Sequence, residues 1–308
     1  MSTRRDLKVA SNDGVTSLKV VVWQPEGDIR AILQLSHGMV EHIERYTEFG
    51  EFLADKGILV VGNDHLGHGE SIVSKDKLGY FCDNNPSEVL VDDLHKIGEE
   101  IRKEYPGIPY FIFGHSMGSF IVRNYIAKYG EGLKGAVICG TGDLPNSKIK
   151  PGLALIKTIK CFKGKMYLSK FVDSLVIGDN DKYFKDSEYK SWLSKDEEKV
   201  KKYYADPLCG YMFTLNGYQT LVELIIKNND AARRARVPKD LPLLIVSGDE
   251  CCLGEFGKGV KRVYEKYKAA GIKDVTCRLY QHDRHEILNE TDRDVVFADI
   301  YDWINSKL

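Results

Sequence analysis

No stretch of the chain approaches the roughly 18 consecutive apolar residues that a membrane-spanning helix needs, so no integral membrane association is expected. The first fourteen residues, MSTRRDLKVASNDG, carry charge with no apolar segment behind them. No secretory leader is therefore expected, and a reducing cytoplasm is the expected compartment. Cysteines are few and odd in number, seven at scattered positions, which makes no disulfide framework. An excess of charge is also missing. Lys and Arg total 44 against 45 Asp and Glu, so nothing suggests nucleic acid as a partner. There is no internal repeat or low-complexity tract. What remains is an ordinary globular composition, 43% apolar and 29% charged. At 308 residues it suits one large catalytic domain with an insertion, or two modest domains.

The first third alternates between two periodicities. SLKVVVW (17–23), RAILQLS (30–36) and ILVVGN (58–63) read as strands, and 44–57 as a helix. Residues 86–105 form the clearest helix. Pro86 suits its first turn, and Leu90, Leu94, Ile97, Ile101 and Tyr105 make one apolar stripe. A strand (109–114), a helix (117–129) and a strand (135–139) follow. From 143 to 238 the alternation is lost, and Lys-rich, aromatic stretches such as 188–204 and 214–227 read as helices. It returns with strands at 241–248 and 274–280 and helices at 255–270 and 293–306. This pattern predicts an α/β fold with a mostly parallel central sheet flanked by helices. The core is expected from 1–142 and 239–308, with 143–238 inserted as a helical cap. Open α/β sheets bind ligands at the carboxyl ends of their strands, so the cap is expected to cover the site.

The chemistry is concentrated in FIFGHSMGSF, which contains G-x-S-x-G as Gly114-His115-Ser116-Met117-Gly118 between a strand and a helix. A serine on so tight a turn projects its hydroxyl into a site, and side chains at 114 or 118 would clash across the turn. Ser116 is therefore the expected nucleophile. Two backbone N–H groups must stabilise the oxyanion. Met117 follows the nucleophile, and Met39 lies in the loop LSHGMVEH after an early strand. A serine needs a base, which in this chain order follows the last strand. His285 in RLYQHDRHEILNE is preferred over His282. No metal or organic cofactor is required.

HGMVEHIERY (37–46), NDHLGHGES (63–71), GHSMGS (114–119), WLSKDEEKVKKYYADPLCGYMFT (192–214), VSGDE (246–250) and DRHEILNE (283–290) keep their order and spacing. In these the chain resembles the monoacylglycerol lipase and lysophospholipase-like branch of the serine hydrolases, labelled serine aminopeptidase S33. The resemblance implies a capped α/β-hydrolase fold and a small-molecule acyl ester as substrate: a monoacylglycerol, a lysophospholipid or a short acyl ester. It implies Ser116 as nucleophile, His285 as base, and Met39 and Met117 as oxyanion donors. The aromatics Phe162, Tyr167, Phe171, Trp192 and Phe213 would either line an acyl pocket or fill the cap's own core.

The chain departs from the family where the triad acid belongs. The family pattern is roughly G-x-x-D-P-V-G, whereas here Gly248-Asp249-Glu250-Cys251-Cys252-Leu253-Gly254 places Cys251 at the acid and Cys252 at the proline. His282 replaces a small residue, and Leu66 a common arginine. A thiol is a weak hydrogen-bonding group, largely uncharged at neutral pH. Asp143, Asp249 and Glu250 are therefore weighed as substitute acids, beside a chain with no working acid and a weakened or binding role. Cys251, Cys252, His282 and His285 also share two neighbouring loops, a weaker pointer to zinc. Aminopeptidase action would need an acidic cluster for the substrate amine, which the sequence does not display.

Overall fold

The computed structural model describes residues 2–178, 180–185 and 191–308. In chain order it runs β1 (Thr3–Ala10), β2 (Ser17–Gln24), β3 (Ala31–Ser36), α1 (Thr47–Ala54), β4 (Ile58–Asn63), α2 (Pro86–Glu104), β5 (Tyr110–His115), α3 (Met117–Tyr129) and β6 (Gly135–Cys139). The helices α4 (Asn146–Lys163), α5 (Lys170–Val176), α6 (Glu197–Ala205), α7 (Leu215–Asn228) and α8 (Ala231–Arg234) follow. Then come β7 (Leu243–Gly248), α9 (Lys258–Ala269), β8 (Val275–Tyr280) and α10 (Arg293–Asn305).

The eight strands form one sheet in the order β1-β2-β4-β3-β5-β6-β7-β8. β1 pairs antiparallel with β2 and β2 with β4, while every pair from β4 to β8 is parallel. Every residue of β3 to β7 is buried, which explains their unbroken apolar runs: helices cover both faces. One face packs on α2 and α3 through Leu94, Ile97, Ile121 and Val122. The other packs on α1 and α10 through Phe49, Leu53, Phe297 and Ile300. The expected α/β-hydrolase architecture is present.

Several boundaries differ for physical reasons. β1 was not expected. Its sequence TRRDLKVA buries no residue, because it is an edge strand whose charged side chains stay in water. The strand expected at 241–248 starts at Leu243, since Pro242 has no N–H for the ladder. The helix expected at 44–57 begins as a tight 3-10 turn over Ile43–Tyr46 before α1. Of the helix expected at 188–204, residues 188–190 lie outside the described residues. The helix itself begins at Glu197, where the Asp196 carboxylate accepts from Glu198 and Lys199 N–H as its cap. Between 143 and 238 the described residues add helices α4 to α8 and no strand to the sheet. α7 anchors this segment by lying against α2 and α3 as well as α4.

Candidate active site

β5 ends and α3 begins on either side of Ser116, whose φ of 51° and ψ of −117° lie outside ordinary helix and strand geometry. Ser116 N–H donates to Cys139 O at 3.0 Å, which pins the turn to β6. The glycine requirement is steric. A Cβ on Gly114 would stand 2.3 Å from Gly118 O, and one on Gly118 would stand 2.0 Å from Ser36 O. Such strain at a non-glycine residue survives only where the surroundings impose it.

Met117 is the first residue of α3, so its N–H is one of the helix's orphan donors and lies at the positive end of the dipole. Met39 follows β3, and no backbone carbonyl among the described residues accepts its N–H. Met39, Ser116, Met117 and His285 all line one cavity of about 690 Å3. Its remaining wall is largely apolar, including Phe120, Ile149, Leu155, Val176, Leu221 and Ile225. This volume lies within the range of small-ligand sites.

His285 is 2% exposed. Burial, helped by the adjacent His115, pushes its pKa well below the ordinary imidazole value. Its ring lies against Trp192, with centroids 5.0 Å apart. Trp192 and Leu193 in turn accept backbone hydrogen bonds from His285 and Glu286. His285 Nδ1 lies 3.2 Å from Cys251 Sγ, so the thiol stands where the resemblance expected a triad acid. Cys251 is wholly buried and caps a single 3-10 turn, Cys252–Gly254. Burial raises its pKa, although Leu253 and Gly254 N–H and the Ser247 hydroxyl favour the thiolate. The buried Ser247 Oγ completes no hydrogen bond among the described residues.

The three carboxylates weighed as substitute acids are held elsewhere. Asp143 is clamped by Lys266 and Arg262 of α9, whose hydrogen bonds and charge outweigh burial and hold its pKa low. Asp249 accepts the backbone N–H of His282 at 2.7 Å, and Glu250 lies 3.2 Å from His282 Nδ1. His282 is solvated rather than directed at Ser116, with φ of 64° and 69% of its side chain exposed. Cys251, Cys252, His282 and His285 do not assemble into a metal-ligating set among the described residues.

A buried charge network that the sequence did not reveal supports both loops. Arg45 donates to Glu41 at 2.5 Å and to both oxygens of Glu286 at 2.8 and 2.6 Å. Glu41 also accepts Gly38 N–H and Tyr46 OH, and lies 3.3 Å from His115 Nδ1. His115 Nε2 reaches His285 O at 3.2 Å. Burial opposes charge on His115, but the hydrogen bond and charge of Glu41 prevail and raise its pKa. The oxyanion loop, the elbow and the base loop thus share one ionic brace. Glu41, Arg45 and Glu286 do lie inside the stretches HGMVEHIERY and DRHEILNE, but pairing across 241 residues leaves no local signal.

Among the aromatics expected near an acyl pocket, only Trp192 lines the cavity. Phe162, Tyr167 and Phe171 are 83%, 41% and 62% exposed, and Phe213 is buried against His68, Phe81 and Tyr218. The wall is instead formed largely by aliphatic residues of α4, α5 and α7, with Phe120, Tyr203, Tyr204 and Tyr211 beside them.

The profile of the serine aminopeptidase S33 family matches residues 27–292. The chain is 27% identical to the monoacylglycerol lipase of Mycolicibacterium smegmatis, over 100% of this chain and 99% of that one. It is 28% identical to the monoglyceride lipase of Homo sapiens, over 92% and 86% of the two chains. A highly thermostable carboxyl esterase from Bacillus coagulans, solved in complex with glycerol, superposes with a TM-score of 0.91 at 28% identity, over 99% of each chain. These relatives are carboxylic-ester hydrolases by name, and the elbow and cavity occupy the same fold. The chain belongs to the serine aminopeptidase S33 family and is a hydrolase of the α/β-hydrolase fold.

Proposed function

We propose that the protein hydrolyses carboxylic esters of small lipid-like alcohols, monoacylglycerols first among them, through an acyl-enzyme on Ser116. The observation that carries this reading is the strained elbow serine opening into an apolar cavity of about 690 Å3 that also presents His285, Met39 and Met117. In this mechanism His285 Nε2 takes the Ser116 proton as Oγ attacks the ester carbonyl. Met39 and Met117 N–H bind the developing oxyanion. The alcohol leaves with the proton from His285, and water then releases the acid by the same steps in reverse. Residues 143–238 act as the cap, supplying the aliphatic wall for an acyl chain and, with Trp192, the cover over the base.

Aminopeptidase action fits less well. Among the described residues, the carboxylates lining the cavity are Glu41, Asp173 and Glu286. Each is already engaged: Glu41 and Glu286 by Arg45, and Asp173 by the Tyr218 hydroxyl. Among the described residues that leaves Asp173, which accepts only a neutral hydroxyl, to face a substrate ammonium: one carboxylate and not an acidic cluster.

The same geometry supports a second feature of the reaction, a reduced rate. A neutral Cys251 thiol can donate to His285 Nδ1, and that contact leaves the proton on Nε2, the nitrogen that must accept from Ser116. The test is a panel of p-nitrophenyl esters of increasing chain length, with Ser116→Ala beside the wild type and fluorophosphonate labelling of both. Hydrolysis and labelling that vanish together in Ser116→Ala support the reading. Labelling that persists in that variant rejects the assignment.

A further inference from the structure

Outside the Ser116 cavity, the described residues gather one set of three metal-ligating side chains. His42, Asp206 and Cys209 each bring one donor atom, and these atoms all lie within 4.8 Å of one another. We propose that His42, Asp206 and Cys209 form a binding site for a divalent cation of the zinc type, which ties the inserted segment to the loop carrying Met39.

The donor chemistry favours that ion. Imidazole nitrogen, thiolate sulfur and carboxylate oxygen are the zinc ligand types, and three protein ligands leave a fourth position for water. The donors are largely prearranged. His42 and Cys209 are buried, each 8% exposed, and Asp206 is half-buried. The Asp206 carboxylate is aimed by Leu208 N–H, which donates to Oδ1 at 2.8 Å, leaving Oδ2 beside His42 Nε2 at 2.8 Å. Cys209 N–H closes the turn onto Asp206 O at 3.0 Å. A groove of about 340 Å3, lined by Asp206, Cys209, Thr47 and Tyr203, gives an ion and its water a way in.

Charge balance is also favourable. Binding through His42 Nε2 leaves that imidazole neutral with its ring proton on Nδ1, and expels the Cys209 thiol proton to solvent. The ion's two positive charges then meet one thiolate and one carboxylate. The neighbouring Arg45 does not oppose this, because Glu41 and Glu286 already neutralise it. The site is separate from the reacting centre, since none of its three ligands lines the Ser116 cavity. It is nevertheless linked to it. Gly210 N–H donates to Val40 O at 2.9 Å, and Val40, next to the oxyanion donor Met39, holds a left-handed φ of 48°. An ion bridging His42 to Cys209 fixes both ends of that contact.

The test uses the untagged full chain, stripped with a chelator and titrated with Co2+. One equivalent should produce a thiolate-to-cobalt charge-transfer band, which Zn2+ then displaces. Zn2+ should also raise the melting temperature by about 3 °C, as expected for a ligand well above its Kd. Cys209→Ser and His42→Ala should lose the band and weaken Zn2+ binding at least about tenfold. Cys252→Ser and Cys161→Ser should keep both. If Cys209→Ser does not fold, Asp206→Asn and His42→Ala carry the test. Absence of a thiolate band at one equivalent, or a band that survives Cys209→Ser, overturns the proposal. These readouts do not depend on ester hydrolysis, so the site can fail without the catalytic reading failing.

Discussion

Cys251 Sγ stands 3.2 Å from His285 Nδ1, on a loop otherwise arranged for a carboxylate. Cys251 caps a helical turn, a position where aspartate is among the most favoured residues. The Cys251 side chain completes no cap hydrogen bond, the Gly254 and Leu253 backbone and the Ser247 hydroxyl nonetheless favour its anion, and the buried Ser247 Oγ lacks a partner among the described residues. An aspartate here would accept from these donors and hold His285 with its proton on Nδ1. Cys251→Asp is therefore expected to raise kcat/KM for activated esters at least about tenfold. The check is steady-state kinetics beside wild type and Ser116→Ala. An unchanged kcat/KM in a folded Cys251→Asp protein would mean the acid is not limiting.

The Asp143 carboxylate is held by Lys266 and Arg262, so a structural role is expected of it. Asp143→Asn should leave kcat/KM within about twofold while lowering stability by roughly 1–2 kcal/mol, since both cations are partly solvated. Urea unfolding and ester kinetics on the same sample separate the two effects. A hundredfold loss of activity would instead return Asp143 to the triad.

What could be read from the sequence was local in character. The elbow at 114–118 is a contiguous motif between a strand and a helix, and its Gly114–Gly118 clash is local, although the clash that demands glycine at 118 is with Ser36 O of β3. The parallel sheet was legible because buried strands such as LLIVSG are apolar throughout. Two things were hidden by distance. Asp143 was a plausible acid until Lys266 and Arg262, more than a hundred residues away in sequence, claimed it. The brace of Glu41, Arg45 and Glu286 joins loops at opposite ends of the chain. Phe162 and Phe171 read as pocket or core but face solvent, because hydrophobicity alone does not say which side of a helix the cavity takes. β1 escaped notice because an edge strand needs no apolar face.

His282 has φ of 64°, a region that glycine adopts without penalty and a Cβ-bearing residue does not. Its side-chain contact with Glu250 at 3.2 Å is exposed and contributes little. His282→Gly should therefore stabilise the protein by about 0.5 kcal/mol, relief of strain exceeding the added freedom of the unfolded chain. Chemical unfolding at neutral pH reads this directly, and a loss of stability would show that the His282–Glu250 contact matters more than the backbone.

His68 offers a sharper electrostatic test. It is wholly buried among the rings of Phe81, Tyr211 and Phe213, next to His37 and His65. Its Nδ1 donates to Leu66 O at 2.9 Å, while its Nε2 has no partner among the described residues. Burial, reinforced by His37, lowers its pKa to about 3. In the unfolded chain the value returns to roughly 6.5. Above that pH both states are neutral and the group is indifferent. Below it the unfolded chain binds a proton that the folded protein refuses, so stability falls with pH until about 3. One such histidine costs about 1.4 kcal/mol between pH 7.5 and 5.5. His65 and His37 act in the same direction, also through burial, while Asp283 and Asp93, raised by burial to about 7 and about 6, oppose them. The net curve therefore mixes signs, but a single substitution isolates one group. His68→Asn keeps a donor toward Leu66 O and cannot titrate. The loss of stability from pH 7.5 to 5.5 should be about 1.4 kcal/mol smaller in His68→Asn than in wild type, measured by urea unfolding at each pH. Equal losses in the two proteins would mean that His68 takes up its proton in the folded state as readily as in the unfolded one.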